Sequence, residues 1–241
     1  MSDITLPGAG AAGRKLLFIS DLHPQFRKAE LARFPELVKL IHAESPDYLL
    51  LGGDGVGDTV YLPRLPQMWK QLSDGAAHSF ALPGNWEQGK YWLGTEFFQE
   101  LYARGGFRYL SNESWSDGKL FLAGLANISF PEVAPRLPEQ PPPETTFNLV
   151  GIHRPDALFW AENYEQLKNY SLVLSGHLHG GQVRLFGKPL VSIGIYGRKI
   201  DYGLYRCLDG DTRLYISSGL GEGTIPWRVN CPREVVIVHL H

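Results

Sequence analysis

Seven side chains able to hold a divalent cation follow short apolar runs in this 241-residue chain. Asp21 and His23 come after residues 15–20, Asp54 after residues 48–51 and a Gly-Gly pair, and Asn85 after residues 78–82 and Pro83-Gly84. His153 closes the run 147–152, and His177 and His179 follow the run 172–175. Any one of these is an ordinary arrangement, since an Asp-x-His triplet arises by chance and a lone buried histidine is more often structural than ligating. The informative feature is repetition at five run ends. Four of the chain's eight histidines stand there, and burying so many carboxylates and imidazoles together without a cation is costly. Oxygen and imidazole donors without a neighbouring thiolate suit catalytic manganese, iron or zinc better than a structural zinc.

The intervening sequence predicts the elements that must position these groups. Residues 15–20, 48–51 and 78–82 read as strands. Residues 30–42 carry Leu31, Phe34, Leu37, Val38 and Ile41 at helical spacing, with Pro46 as a stop and Pro35 setting the helix start close to it. Further helices are expected over residues 65–72, started by Pro66, and over residues 92–102. Alternating strands and helices make an α/β layer structure, in which ligand sites are built at the carboxyl ends of the strands. Asp117-Gly118 reads as a hairpin turn, and the proline-rich residues 131–143 as an extended surface loop. The second half restarts with a strand at 147–152, a helix at 156–167 and a strand at 172–175. From Gln182 onward the pattern is mostly strand and turn, closing at 235–238.

Composition bounds the function. A mass of 27.0 kDa with 44% hydrophobic residues excludes a mainly disordered chain and predicts one domain over residues 15–241 behind a flexible tail, residues 1–14. Gly8, Gly10 and Gly13 match G-x-G-x-x-G, but they precede the first strand and belong with the tail. A net charge of −2 supplies no global basic field, so no nucleic-acid scaffold role is expected. Cys207 and Cys231 are too few for a disulfide framework or a zinc knuckle. With neither the order of a signal peptide nor an apolar run long enough to span a bilayer, the expectation is a cytoplasmic protein without a transmembrane segment.

The ordered set Asp21-Leu-His23, Gly53-Asp54, Gly84-Asn85, His153 and Gly176-His177-Leu-His179 resembles the calcineurin-like metallophosphoesterase superfamily. The stretch 176–182, with Ser217-Ser-Gly-Leu-Gly221, looks like the branch that includes bacterial UDP-2,3-diacylglucosamine pyrophosphatases, which act on membrane-lipid precursors, and uncharacterised phosphohydrolases. The resemblance implies a four-layer αββα sandwich, with two central mixed β-sheets flanked by helices and the strands after Gln182 forming much of the second sheet. By the same resemblance, Asp21, His23 and His179 hold one divalent ion, Asn85, His153 and His177 the other, and Asp54 bridges both. Asp54, Asn85 and His153 are then also the catalytic set. The implied reaction is hydrolysis of a phosphoester or phosphoanhydride bond in a small phosphorylated substrate, by in-line attack of a hydroxide between the two ions. A non-catalytic metal-binding or protein-interaction module on the same fold is the alternative.

Two departures from the family pattern matter. Where Asn-His-Asp or Asn-His-Glu is common, this chain has Asn85-Trp86-Glu87, and an indole cannot serve as the general acid that the histidine supplies. Asp58 falls one place later than the pattern, which leaves a loop-cap role for it. Arg154 is a candidate phosphate contact or a surface ion pair. Trp86, Tyr91 and Trp92 are a candidate aromatic rim for substrate or simple packing. Arg198-Lys199 reads as a solvated turn with phosphate contact as the alternative, and the glycine-rich residues 219–223 as a conformationally demanding loop beside the site.

Overall fold

Alternate residues of the first long strand, β2 (Arg14–Ile19), face different cores: Leu16 and Phe18 one, Leu17 and Ile19 another, all fully buried. A strand buried on both faces belongs in the interior of a layered sheet. The structure, a computed structural model, describes residues 1–6, 13–90, 93–127, 134–137, 141–143, 145, 147–162, 164–190, 200–207, 211–223 and 225–241.

The elements in chain order are β1 (Ser2–Leu6), β2, α1 (Lys28–Glu44), β3 (Tyr48–Leu51), α2 (Leu65–Ser73), β4 (His78–Ala81), α3 (Gly94–Arg104) and β5 (Arg108–Tyr109). There follow β6 (Glu113–Ser116), β7 (Leu120–Gly124), β8 (Phe147–Ile152), β9 (Leu172–Ser175), β10 (Arg184–Leu185) and β11 (Lys188–Pro189). The last strands are β12 (Gly203–Arg206), β13 (Arg213–Ile216) and β14 (Val236–Leu240). The first sheet has the order β1-β14-β2-β3-β4-β5, with β2 to β5 parallel and β14 antiparallel to β2. The second has the order β12-β13-β9-β8-β7-β6; β13, β9, β8 and β7 are parallel, and the two edge strands antiparallel.

Three apolar clusters separate four layers. Phe18, Tyr48, Leu50 and Phe80 from the first sheet meet Leu122, Phe147, Leu149 and Leu174 from the second. The outer face of the first sheet (Leu17, Ile19, Leu49, Leu51) packs on Ile41 of α1, Trp69 and Leu72 of α2, and Phe98 and Tyr102 of α3. The outer face of the second (Val150, Ile152, Val173, Ile216) packs on Ala157, Leu158 and Leu167 from two short 3₁₀ segments, Pro155–Trp160 and Tyr164–Asn169. This is the expected αββα sandwich. Among the described residues no helix is long and apolar enough to cross a membrane.

Several boundaries differ from expectation, each for a physical reason. Ser2–Leu6, expected to be tail, is a strand paired in parallel with β14 at the edge of the first sheet; residues 7–12 lie outside the described residues. Helix α1 starts seven residues before Pro35, because Glu30 anchors its first turn by accepting from the backbone of Arg27 (3.3 Å) and Gln25 (2.8 Å). The single helix expected over 156–167 is two 3₁₀ segments, since Ala161 leaves helical geometry (ψ 132°) and the backbone of Glu162 bonds to Pro135 and Leu137 instead. The strands after Gln182 are divided: β12 and β13 join the second sheet, whereas β14 lies inside the first. Residues 131–133 and 138–140 of the proline-rich stretch, Tyr91 and Trp92 of the expected rim, and Arg198-Lys199 lie outside the described residues.

Candidate metal centre

Parallel pairing of β2, β3 and β4, and of β8 and β9, brings five strand ends to one edge between the sheets. Beyond β2, β3 and β9 the chain turns sharply, and it does so in strained backbone. Asp21 (φ 54°), His23 (39°), Asp54 (51°), His177 (70°) and His179 (51°) all occupy the left-handed region. Each such residue costs roughly 1–3 kcal/mol and persists only where its surroundings over-determine it. Strain concentrated in the same residues that carry ligating atoms marks a built site.

Six of the seven expected ligands form two groups, Asp21–His23–His179 and Asp54–His153–His177, within each of which the ligating atoms lie no more than 4.8 Å apart. The seventh, Asn85, places Oδ1 at 3.1 Å from His153 Nε2 and so joins the second group. Asp54 faces both groups: its Oδ2 is 3.3 Å from His23 Nε2 and 3.3 Å from His153 Nε2. Asp21 Oδ1 is 3.5 Å from His179 Nε2, and the Asp21 carboxylate accepts from the backbone N–H of His177 at 3.1 Å.

Charge states follow from burial and neighbours. Burial pushes the Asp21 carboxyl up, but the imidazoles of His179 and His153 hold it below the usual range. Asp54 behaves alike, with His153 and His23 overriding burial. Burial lowers His177 to about 3 and His179 to about 4, so both rings are neutral. His153 resists its own burial because Asp54 adjoins it, and is raised to about 10. Ionised carboxylates, imidazoles and an amide oxygen, buried together without a thiolate in either group, fit divalent cations, whose binding would displace the proton that Asp54 holds on His153.

The loops are held from behind by Glu87, to which sequence reasoning assigned no role. Its Oε2 accepts from the backbone N–H of Gly84 (3.0 Å) and Asp54 (3.1 Å), and its Oε1 from Gly55 N–H (2.9 Å) and the Tyr102 hydroxyl (2.6 Å). Burial and the charge of Asp54 push Glu87 up to about 7, which the Tyr102 hydrogen bond only partly offsets. Its presence in Asn85-Trp86-Glu87 was the only available signal. Arg228, whose Nη2 lies 3.3 Å from His179 Nδ1, stands in no motif and was also missed.

The remaining candidates are dispersed. Trp86 is half-buried against the first sheet's outer cluster, its ring edge-on to His23 at 4.6 Å, while its backbone N–H donates to Asp54 Oδ1 at 2.8 Å. Arg154 forms a two-pronged pair with the buried Asp156 (2.7 and 3.2 Å), and its charge reaches His177. Asp58 caps a 3₁₀ turn, Thr59–Arg64. The 219–223 loop does lie beside the site: Leu220 N–H donates to Ser20 O at 3.0 Å and Gly221 N–H to Asp21 O at 2.7 Å.

Gly84 is where the two loops touch. A Cβ there would lie 2.1 Å from Asp54 Oδ1 and 2.2 Å from Asp54 N. Gly84→Ala is therefore expected to displace Asp54 and weaken metal binding by at least roughly tenfold, the low end for outer-sphere changes. Gly118→Ala, in the distant hairpin turn, is itself strained by a φ of 82° and is the control for a general loss of stability away from the site. Calorimetric titration of both variants with Mn²⁺ checks this, and unchanged affinity in Gly84→Ala would refute the close approach.

The sequence model for the calcineurin-like phosphoesterase family matches residues 14–181. The uncharacterised metallophosphoesterase YkuE of Bacillus subtilis is 28% identical, over 96% of this chain and 80% of its own length. The phosphodiesterase YaeI of Escherichia coli is also 28% identical, over 95% of this chain and 83% of its own. A solved structure, TT1561 of Thermus thermophilus, superposes with a TM-score of 0.49 at 13% identity, covering 86% of this chain and 89% of that one.

Proposed function

As the chain belongs to the calcineurin-like phosphoesterase family, we propose that it is a binuclear phosphohydrolase whose ions are held by Asp21, His23 and His179 on one side and Asn85, His153 and His177 on the other. Asp54 is the bridge. The observation that carries this reading is the position of Asp54 Oδ2, 3.3 Å from an imidazole nitrogen of each group. Two divalent cations supply, when bound, Lewis acidity toward phosphoryl oxygens and a hydroxide nucleophile at neutral pH.

The chain's own residues do the rest. Asp21 and Asp54 bring the negative charge that balances the cations. His153 Nδ1 donates to Gly52 O at 2.8 Å, which directs Nε2 into the site. Glu87 fixes the loops bearing Asp54 and Asn85 in a common frame. Arg154, shared with Asp156, adds positive charge on the His177 side, where a substrate phosphate gains from it. A protonated leaving group must obtain its proton elsewhere than from the Trp86 side chain.

Phosphodiesters are the first substrates to try, because the Escherichia coli relative carries the name phosphodiesterase. The competing reading, a module that binds metal without turnover, is favoured by Trp86 alone. The test loads the purified protein with manganese and measures hydrolysis of an aryl phosphodiester, an aryl phosphomonoester and a nucleoside diphosphate conjugate. The expected result is two ions per chain by mass spectrometry, together with hydrolysis that a chelator abolishes. Two bound ions without turnover above a His179→Ala control on any of the three would establish the non-catalytic module instead. A stoichiometry below one in excess manganese or zinc would refute the binuclear centre itself.

A further inference from the structure

The two ligand groups are not supported alike from behind. His153 donates from Nδ1 to a backbone carbonyl, that of Gly52, at 2.8 Å, the usual backing of a metal-binding imidazole. Behind His179 the arrangement is inverted. Among the described residues, the group within hydrogen-bonding distance of its Nδ1 is Arg228 Nη2, at 3.3 Å. A guanidinium has five N–H donors and no acceptor. A neutral imidazole that ligates through Nε2 carries its proton on Nδ1, so two donors face each other there, and a fixed positive charge stands behind an incoming cation.

Arg228 is not free to turn away. Its Nη2 and Nε both donate to Gly221 O, at 2.5 and 3.2 Å, and its Nη1 lies 3.8 Å from Cys231 Sγ. Gly221 is itself bonded to Asp21 O at 2.7 Å, so the guanidinium is a fixture of the same loop frame that carries Asp21. Among the described residues no carboxylate comes within ion-pair distance of it: Glu222 pairs with Arg33 and Arg233, and the charges of Asp21 and Glu222 reach the guanidinium only from farther away.

Resting on the binuclear reading above, we infer that Arg228 weakens the Asp21–His23–His179 position relative to the Asp54–Asn85–His153–His177 position, so that the two ions are held unequally. Arg228 is a positioning residue acting through His179. The second-position ion stays bound when metal is scarce, and occupancy of the Asp21 position follows the free metal concentration. Outer-sphere partners of ligating imidazoles govern affinity by roughly 10- to 100-fold, which sets the size of the expected gap.

Calorimetric titration of the metal-free 241-residue chain with Mn²⁺ tests this. Two phases separated by roughly tenfold or more are expected, the weaker lost in His179→Ala and the tighter in His177→Ala. Arg228→Gln, whose amide oxygen offers the Nδ1 proton an acceptor, should tighten the weaker phase about tenfold and leave the other in place, whereas Arg228→Lys should preserve the gap. A gain in affinity is an outcome that loss of a merely structural contact does not produce. Two ions bound with equal affinity by the wild-type chain, or a weaker phase that loosens in Arg228→Gln, would overturn the inference while leaving the binuclear reading intact. If Arg228→Gln does not fold, equal affinities in the wild type, or loss of the gap in Arg228→Lys, still overturn the inference. Fewer than one ion per chain would overturn both.

Discussion

Glu87→Ala is expected to cost about 4–6 kcal/mol of folding stability, a large share of the roughly 5–15 kcal/mol that holds a typical domain together. The substitution removes the acceptor for three buried backbone N–H groups, those of Asp54, Gly55 and Gly84, and for the Tyr102 hydroxyl. Each buried donor left unpaired costs about 1–3 kcal/mol, and water entering the space recovers part of the sum. Graded variants separate the contributions. Glu87→Gln keeps one oxygen but turns an amide N–H₂ toward backbone donors, so an intermediate loss is expected. Tyr102→Phe deletes a single bond to the same carboxylate and should cost about 1 kcal/mol, the typical net worth of one hydrogen bond. Urea unfolding of the metal-free proteins measures all three without reference to catalysis. A loss below about 1 kcal/mol for Glu87→Ala, less than one unpaired donor costs, would mean that the loops bearing Asp54 and Asn85 are held by something else.

That role for Glu87 shows where sequence reasoning reached and where it stopped. The strand ends were readable because the period of a strand and the burial of both faces leave a visible apolar run, as at Leu49 and Leu50, which face opposite cores. The candidate ligands stood out because each lies within a few residues of the end of such a run, and the fold gathers six of them into two groups. Local signals of this kind need no knowledge of partners. Ser2–Leu6 failed for the opposite reason: what makes it a strand is β14, at the far end of the chain. Arg228 failed likewise, since its significance lies in the ring of His179, and nothing in the residues around position 228 points to it. The helix expected over 156–167 broke because the backbone of Glu162 bonds to Pro135 and Leu137, a tertiary demand that outweighs a local helical pattern. Glu87 stands between these cases, visible as a residue type but silent as to its four donors.

Trp86→His is expected to raise kcat/KM on substrates with poor leaving groups by roughly 10²–10⁴-fold, the range that general acid catalysis supplies, and to change good ones little. Trp86 stands where the family resemblance leads one to expect a histidine. Its ring lies 4.6 Å from that of His23, so a side chain at this position stands beside the candidate ligands. Its backbone contribution, the N–H donated to Asp54 Oδ1 at 2.8 Å, survives substitution, and the metal ligands therefore need not move. An aryl leaving group of low pKa departs as the anion, whereas one of high pKa must be protonated as the bond to phosphorus breaks. Without an acid the rate should fall steeply as leaving-group pKa rises, and an imidazole at position 86 should flatten that dependence. Trp86→Phe removes the indole but supplies no acid, so it should retain the wild-type slope. If Trp86 is instead a platform on which substrate rests, Trp86→His raises KM for every substrate and leaves the slope alone. A series of aryl phosphates of graded leaving-group pKa, measured as kcat/KM in the three proteins, separates the outcomes. Parallel lines for wild type and Trp86→His would mean that the missing acid does not limit this enzyme, and that its proton comes from a group elsewhere in the site or from water.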